Sequence, residues 1–233
     1  MKIALLGYGR MGKEIEKVAL QRGHEIVLKI SDNFKYDIRK ADVAIDFSIP
    51  NAAYDNISNC INNNVPVISG TTGWLDRYND IEELCKNKEG AFIYASNFSL
   101  GVNIFFELNK QLATLMNTVK GYNTSIEEIH HTKKLDAPSG TAITLAEGII
   151  EDSKKITWKL DGEASDNTIP ITAKRIPEVP GTHTISYDSE IDSIEIKHTA
   201  HNREGFALGA VVAAEWLQHK KGVFTMKDVL NIG

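Results

Sequence analysis

A glycine pattern, and where it falls, constrains the fold of this chain more than any other feature. Gly7-Tyr8-Gly9-Arg10-Met11-Gly12 matches G-x-G-x-x-G, straight after the apolar run Lys2–Leu6 and at the start of residues 11–22, where Ile15, Val18 and Ala19 recur at helical spacing. A strand that ends in this pattern and feeds a helix suits a dinucleotide. The first glycine permits a tight turn, and the second lets a pyrophosphate approach the backbone. The third brings helix and strand together, and the helix N-terminus offers N–H donors to the phosphates. Asp32, just past the second apolar run, stands about 20 residues on, where an acid for the ribose hydroxyls belongs. The bland alternative is a glycine turn that only packs a helix on a sheet; agreement of strand, helix and acid favours the nucleotide.

The alternation continues. Residues 25–30, 42–47, 65–69 and 91–95 are short apolar or β-rich runs; a helix that Pro50 can open and a helical stretch at 76–88 lie between them. Strand and helix in turn predict βαβ units and an α/β, Rossmann-type doubly wound parallel sheet. The loops Ser69-Gly70-Thr71-Thr72-Gly73 and Ala95-Ser96-Asn97-Phe98-Ser99 each follow a strand and fall on its carboxyl edge, where open α/β sheets bind ligands. Beyond residue 100 the pattern changes: a long helix at 101–119, a strand at 123–130, a helix at 139–151, a polar patch at 160–167, strands at 182–187 and 193–198, and a final helix at 206–217. Consecutive strands predict a second, α+β domain.

Charge excludes some functions. With 26 Lys+Arg against 31 Asp+Glu the net charge is −5, the wrong sign for a general binder of nucleic acid or anionic membranes. The longest apolar stretch, 206–214, is interrupted by Gly209 and closed by Glu215, far short of the roughly 20 residues that span a bilayer. The opening residues are too short for a signal segment, and Cys60 and Cys85, both in helical stretches, suit free thiols in a reducing compartment. A cytoplasmic protein is expected.

Against this acidic background, residues 127–141 gather His130, His131, Lys133 and Lys134, then Ser139-Gly140-Thr141 at a helix start. Lysines and imidazoles beside free helix N-terminal amides can hold a carboxylate or phosphate, and histidine is the natural proton donor near neutral pH. A solvated charge run is the competing interpretation; the glycine fingerprint shifts the balance toward an anionic-substrate site. Adjacent histidines on a strand face opposite ways, and no cysteine or carboxylate stands nearby at ligand spacing, so no metal is expected. His183, His198 and His201 read as structural, and Arg203 as either a substrate contact or a surface ion pair.

In the order found here, Gly7-x-Gly-Arg-Met-Gly12, Ser69-Gly-Thr-Thr-Gly-Trp74, Asn97-Phe-Ser-Leu-Gly101 and Glu128-Ile-His-His-x-Lys-Lys-Leu-Asp-Ala-Pro-Ser-Gly-Thr141 resemble the 4-hydroxy-tetrahydrodipicolinate reductase family, of the diaminopimelate route to lysine. The resemblance implies a cofactor domain of residues 1–101 and 204–233, interrupted by a substrate-binding and tetramerisation domain at 102–203, in a homotetramer. It implies His130 as general acid and Lys134 as the second catalytic group, with His131, Ser139, Gly140 and Thr141 on substrate carboxylates. For NADH or NADPH it implies Gly7, Gly9, Arg10, Met11 and Gly12, with Gly70, Thr71 and Thr72 toward the nicotinamide ribose and Asn97 and Phe98 near the carboxamide. Arg175-Ile-Pro-Glu departs from the glycine-aspartate pair common in the family. No arginine accompanies Asp32, with Lys35 the nearest cation, and the acid would repel a 2′-phosphate, so a weak NADH preference is expected. A non-catalytic redox sensor and a different Rossmann dehydrogenase are the alternatives.

Overall fold

The computed structural model describes residues 1–31, 36–163 and 165–232, so Asp32 and Lys35 lie outside the described residues. In chain order the first hundred residues form β1 (Lys2–Leu6), α1 (Arg10–Gln21), β2 (Glu25–Ile30), β3 (Val43–Asp46), α2 (Pro50–Asn62), β4 (Val67–Ser69), α3 (Tyr78–Asn87) and β5 (Ala91–Tyr94). Then come α4 (Leu100–Met116), β6 (Asn123–His130), α5 (Gly140–Glu151), β7 (Thr157–Leu160), β8 (Thr168–Arg175), β9 (Gly181–Asp188) and β10 (Ser193–Ala200). The chain ends with α6 (Glu204–Leu217), β11 (Gly222–Phe224) and α7 (Met226–Leu230). Two compact units result: Met1–Leu100 with Glu204–Gly233, and Gly101–Arg203.

In the first unit six parallel strands lie in the order β11-β5-β4-β3-β1-β2. The inner strands β1, β3, β4 and β5 are buried on both faces, which is why they read as unbroken apolar runs rather than alternating ones. Ile3, Leu5, Val43, Ile45, Ile68 and Ile93 pack against Ile15 and Val18 of α1 and Ala207, Ala210, Val211 and Ala214 of α6. On the opposite face Ala4, Leu6, Ala44, Val67 and Phe92 meet Ala53, Ile57 and Ile61 of α2 and Ile81 of α3. Each fully buried isoleucine or leucine contributes about 1.5–3 kcal/mol. Cys60 and Cys85 are buried and free. Because β2 and β3 flank β1, the chain changes direction across the sheet there, and the carboxyl ends of β1 and β3 open a crevice suited to a nucleotide.

The second unit is a mixed five-stranded sheet in the order β10-β9-β6-β8-β7. β6, β8 and β7 run parallel, whereas β9 and β10 run antiparallel to their neighbours. Ile126, Ile169, Ile171, Ile185 and Tyr187 meet Phe105 and Ala113 of α4 and Leu145, Ala146 and Ile149 of α5. By the two-residue period of a strand, Thr124, Ile126, Glu128 and His130 share that helix-covered face, while Ser125, Glu127 and Ile129 point away.

β7 and β8 lie in and around the stretch read as a polar patch. Pro170, which would normally argue against an interior strand, sits where β8 pairs only with β7; pairing with β6 begins at Ile171. The three-residue β11 is too short to show a period.

Candidate active site

The crevice of the first unit is a cleft of about 440 Å³, lined by Gly7, Tyr8, Gly9, Ile30, Ser31, Phe47, Ser48, Ile49, Ala52 and Asn56. The three fingerprint glycines do different work. Gly7 has φ +96°, and a Cβ there would lie 2.1 Å from the Phe47 carbonyl oxygen. At Gly12 a Cβ would lie 2.4 Å from the Gly7 carbonyl oxygen, so helix and strand could not approach as they do. Around a Cβ built on Gly9 nothing lies within 4 Å. Gly9 caps α1 without a side chain, and the first turn, which includes Arg10 and Met11, carries no acid. This open cradle at a helix N-terminus fits the pyrophosphate of a pyridine nucleotide.

Beneath the cleft, Asp46 at the end of β3 is completely buried. Its Oδ1 accepts hydrogen bonds from Ser48 Oγ (2.7 Å) and Asn56 Nδ2 (3.1 Å), and its Oδ2 from Ser69 Oγ (2.8 Å) and Thr71 Oγ1 (2.7 Å). Burial pushes this carboxyl above the usual range, and the four donors pull the other way. Thr71 Oγ1 also accepts from the Ser48 N–H at 2.9 Å, so the loops after β3 and β4 are tied to one carboxylate. Gly70 lies against Phe47, where a Cβ would come within 2.4 Å of the ring, and Trp74 Nε1 donates to the Thr71 carbonyl at 2.7 Å. Thr72 is exposed. The Asn97 Oδ1 accepts from the Ser99 N–H at 2.9 Å, and the Phe98 ring is buried 5.7 Å from that of Phe47.

A polar cluster fills the carboxyl end of β6 in the second unit. Sheet register puts Glu128 opposite His183 of β9 and His130 opposite Arg175 of β8, all on the helix-covered face. Glu128 is completely buried; its Oε2 pairs with His130 Nδ1, and its Oε1 accepts from Arg175 Nη2 (3.0 Å) and the Ser139 N–H (3.2 Å). Arg175 Nη2 also donates to the Asp136 carbonyl at 2.7 Å. Burial alone would raise the Glu128 carboxyl, but hydrogen bonds from His130, Arg175 and Ser139 hold it at about 2, so it stays ionised. His183 is driven the other way, down to about 3, by burial and then by His130, so its imidazole is neutral. Its Nε2 lies 3.0 Å from Ser139 Oγ, which accepts the Ala142 N–H as the N-cap of α5.

Toward the surface, Lys134 Nζ donates to Asp136 Oδ2 at 2.7 Å, which holds that carboxyl below its usual range. His131 is half-buried, its Nδ1 without a partner. At Gly140 a Cβ would meet nothing within 4 Å, so the start of α5 is open beside Thr141. Glu128, His130 and His183 also bring three possible metal-ligand atoms within 4.8 Å. Arg175 and Ser139 already engage Glu128 Oε1, Ser139 engages His183 Nε2, and a cation would face the Arg175 guanidinium.

Two family models divide the chain between them: "Dihydrodipicolinate reductase, N-terminus" matches residues 1–98 and "Dihydrodipicolinate reductase, C-terminus" residues 101–230. The chain belongs to the dihydrodipicolinate reductase family. A 4-hydroxy-tetrahydrodipicolinate reductase of Christiangramia forsetii is 59% identical over 235 residues, covering 99% of this chain and 98% of the relative. Another, from Thermosipho africanus, is 34% identical over 233 residues with the same coverage. Among solved structures, dipicolinate-bound dihydrodipicolinate reductase from Paenisporosarcina sp. TG-14 shares the fold, with a TM-score of 0.77 at 24% identity over 97% of both chains.

Within this reductase family chain, the sequence motifs fall into two groups of residues. Gly7, Gly9, Arg10, Met11 and Gly12 surround the start of α1, while His130, His131, Lys134, Ser139, Gly140 and Thr141 surround the end of β6 and the start of α5. Thr71 and Phe98 turn their side chains inward, so what they can offer a ligand is backbone. Asp46, Glu128 and Arg175 were not among the expected site residues. An acid closing the apolar run at 43–46 was a visible signal for Asp46. Glu128 stood two residues before His130 at the spacing that shares a strand face, a local signal, whereas its meeting with Arg175 comes only through the sheet. The Rossmann domain and the family together establish a reductase using a pyridine nucleotide.

Proposed function

We propose that this protein reduces 4-hydroxy-tetrahydrodipicolinate to tetrahydrodipicolinate in the diaminopimelate route to lysine. The observation that carries this is the His130–Glu128 pair at the end of β6, beside Lys134, His131 and the open first turn of α5. A dicarboxylate needs cationic and N–H donors, and Lys134, His131 and the backbone N–H groups of Gly140 and Thr141 supply them. The Ser139 hydroxyl is engaged by Ala142 and His183, so Ser139 contributes by shaping the turn. A bound reduced pyridine nucleotide supplies the hydride. His130 supplies the proton to the developing carbanion or enamine, a step typically worth about 10²–10⁴-fold. Water leaves first, taking the 4-hydroxyl and a hydrogen of the neighbouring ring carbon; hydride then adds at C4, the resulting enamine takes its proton at that neighbouring carbon, and Lys134 assists that protonation and holds the substrate.

The cofactor residues are Gly7, Gly9, Arg10, Met11 and Gly12 at the pyrophosphate, Asp32 at the adenosine ribose, and Gly70, Thr71, Thr72, Asn97 and Phe98 on the nicotinamide side. Asp32 without an adjacent arginine supports a weak preference for NADH over NADPH. The family resemblance supports a cytoplasmic homotetramer, to be measured by sedimentation.

The test is a coupled assay in which dihydrodipicolinate synthase makes the substrate from pyruvate and aspartate semialdehyde, followed by loss of reduced-cofactor absorbance with NADH and NADPH in turn. Substrate-dependent oxidation is expected, with His130→Gln losing turnover while retaining NADH binding. Folded protein that binds NADH yet oxidises neither NADH nor NADPH in the presence of substrate would instead indicate a redox sensor.

A further inference from the structure

We propose that Glu128 is a positioning residue for proton transfer: it holds His130 through Nδ1, so that Nε2 is the atom that exchanges the proton. This rests on His130 being the acid. His130 Nδ1 and Glu128 Oε2 lie within ion-pair distance on the same face of β6, two residues apart, and neither buried atom has a hydrogen-bond partner elsewhere among the described residues. A carboxylate there accepts an Nδ1–H and leaves Nε2 to lose and regain a proton, the arrangement by which acid–histidine pairs fix a tautomer. The Nε2 edge lies beside Gly181 on the neighbouring strand, where any side chain would crowd it, since a Cβ there would come within 3.1 Å of Nε2.

What makes Glu128 decisive is the way its other oxygen is held. Oε1 receives two donors, Arg175 Nη2 and the Ser139 N–H, neither of which can accept. One carboxylate oxygen must therefore stay on these two donors, since rotating away from them leaves both unpaired in a buried place at about 1–3 kcal/mol each, and the other oxygen is left for His130. The other groups around the pair leave no rival. His183, 5.1 Å from His130 between ring centres, is neutral and spends Nε2 on Ser139. Lys134 is paired with Asp136. Glu128 is thus the one buried anion in contact with His130 among the described residues.

The same geometry dictates what an amide would do. In Glu128→Gln the carbonyl oxygen must stay at the Oε1 position to satisfy Arg175 and Ser139, which turns the amide NH₂ toward His130 Nδ1. That nitrogen would then have to accept, so the neutral ring would carry its proton on Nε2 and the imidazolium would face a second donor. A wrong-tautomer substitution of this kind in a serine protease triad costs about 10⁴ in kcat.

The experiment labels the histidines with ¹⁵N, assigns His130 through His130→Gln, and reads which ring nitrogen carries the proton in the neutral form. Wild-type protein is expected to show Nδ1–H. Glu128→Gln is expected to show Nε2–H and to lose about 10²–10⁴-fold in kcat with NADH affinity within twofold of wild type, and Glu128→Asp to recover part of the rate. Nε2–H in the wild-type protein overturns the proposal whether or not any variant folds. So does a folded, NADH-binding Glu128→Gln whose kcat stays within about threefold. If His130→Gln itself keeps wild-type turnover, the acid assignment falls instead; if only the Glu128 variants are unaffected, the acid stands and the positioning role falls.

Discussion

The contrast between Gly9 and Gly12 separates binding from folding. Both belong to one motif, yet a methyl group at Gly12 would sit 2.4 Å from the Gly7 carbonyl oxygen, whereas at Gly9 it would meet nothing within 4 Å. A normal carbon–oxygen contact needs about 1 Å more than Gly12 allows, so Gly12→Ala must push α1 off the end of β1. Overpacking of that kind costs about 1–3 kcal/mol, or several degrees in Tm for a chain of this size. Gly9 has φ −85° and ψ −150°, which alanine tolerates, so Gly9→Ala should leave Tm within about 2 °C of wild type. Its methyl group instead occupies the space that a pyrophosphate needs over the helix start. The same 1–3 kcal/mol then appears in the bound state, as a rise of about 5- to 150-fold in the NADH dissociation constant. Thermal melts and titration of NADH fluorescence measure the two quantities separately. Wild-type NADH affinity in Gly9→Ala would refute the placement of the pyrophosphate on this helix start; an unchanged Tm in Gly12→Ala would refute the close contact.

Acid should weaken the fold earlier than its carboxylates alone require. His183 binds its proton at about 3 when folded and near 6.5 when unfolded, so the unfolded chain takes up more protons between those values. Stability is therefore fully present above pH 6.5 and falls as pH drops toward 3, by several kcal/mol; Glu128, held at about 2, adds to the loss only below about 4.5. The urea midpoint should fall between pH 7.5 and 4.5 and be flatter in His183→Gln; a midpoint constant over that range in wild type argues against a buried neutral imidazole. Asp46→Asn puts an NH₂ where two donors already converge and should cost about 1–3 kcal/mol of stability and weaken NADH binding together. A more stable variant would mean that the buried charge is a burden rather than a tie between the two loops.

Local chemistry was the legible part. β1, β2 and β6 show their bounds in the sequence because apolar or alternating runs meet clear punctuation, and the Pro50 helix start needed only the fixed φ of proline. The His130–Lys134 segment announced itself by charge. The spacing of Glu128 to His130 was visible, but the anchoring of that carboxylate was not, because its partners Arg175 and Ser139 arrive 47 and 11 residues later along the chain. Register across a sheet is a long-range property, and no window of sequence contains it. Asp46 is intermediate: the acid is visible at the end of its strand, but the four hydroxyl and amide donors converge only after β3, β4 and α2 have assembled.

The interruption of the first unit has a temporal side. Gly101–Arg203 is continuous, so all of its strands and both helices are available once residue 203 has been made. The six-stranded sheet must wait longer, because β11 pairs with β5 across the whole length of the insertion and α6 supplies Ala207, Ala210, Val211 and Ala214 to one face of the core. Until then Ile45, Ile68 and Ile93 lack that cover, and the edge of β5 is unpaired. During synthesis the half that holds the nucleotide is thus the later to close, and its apolar face is the surface most in need of protection from a neighbouring chain.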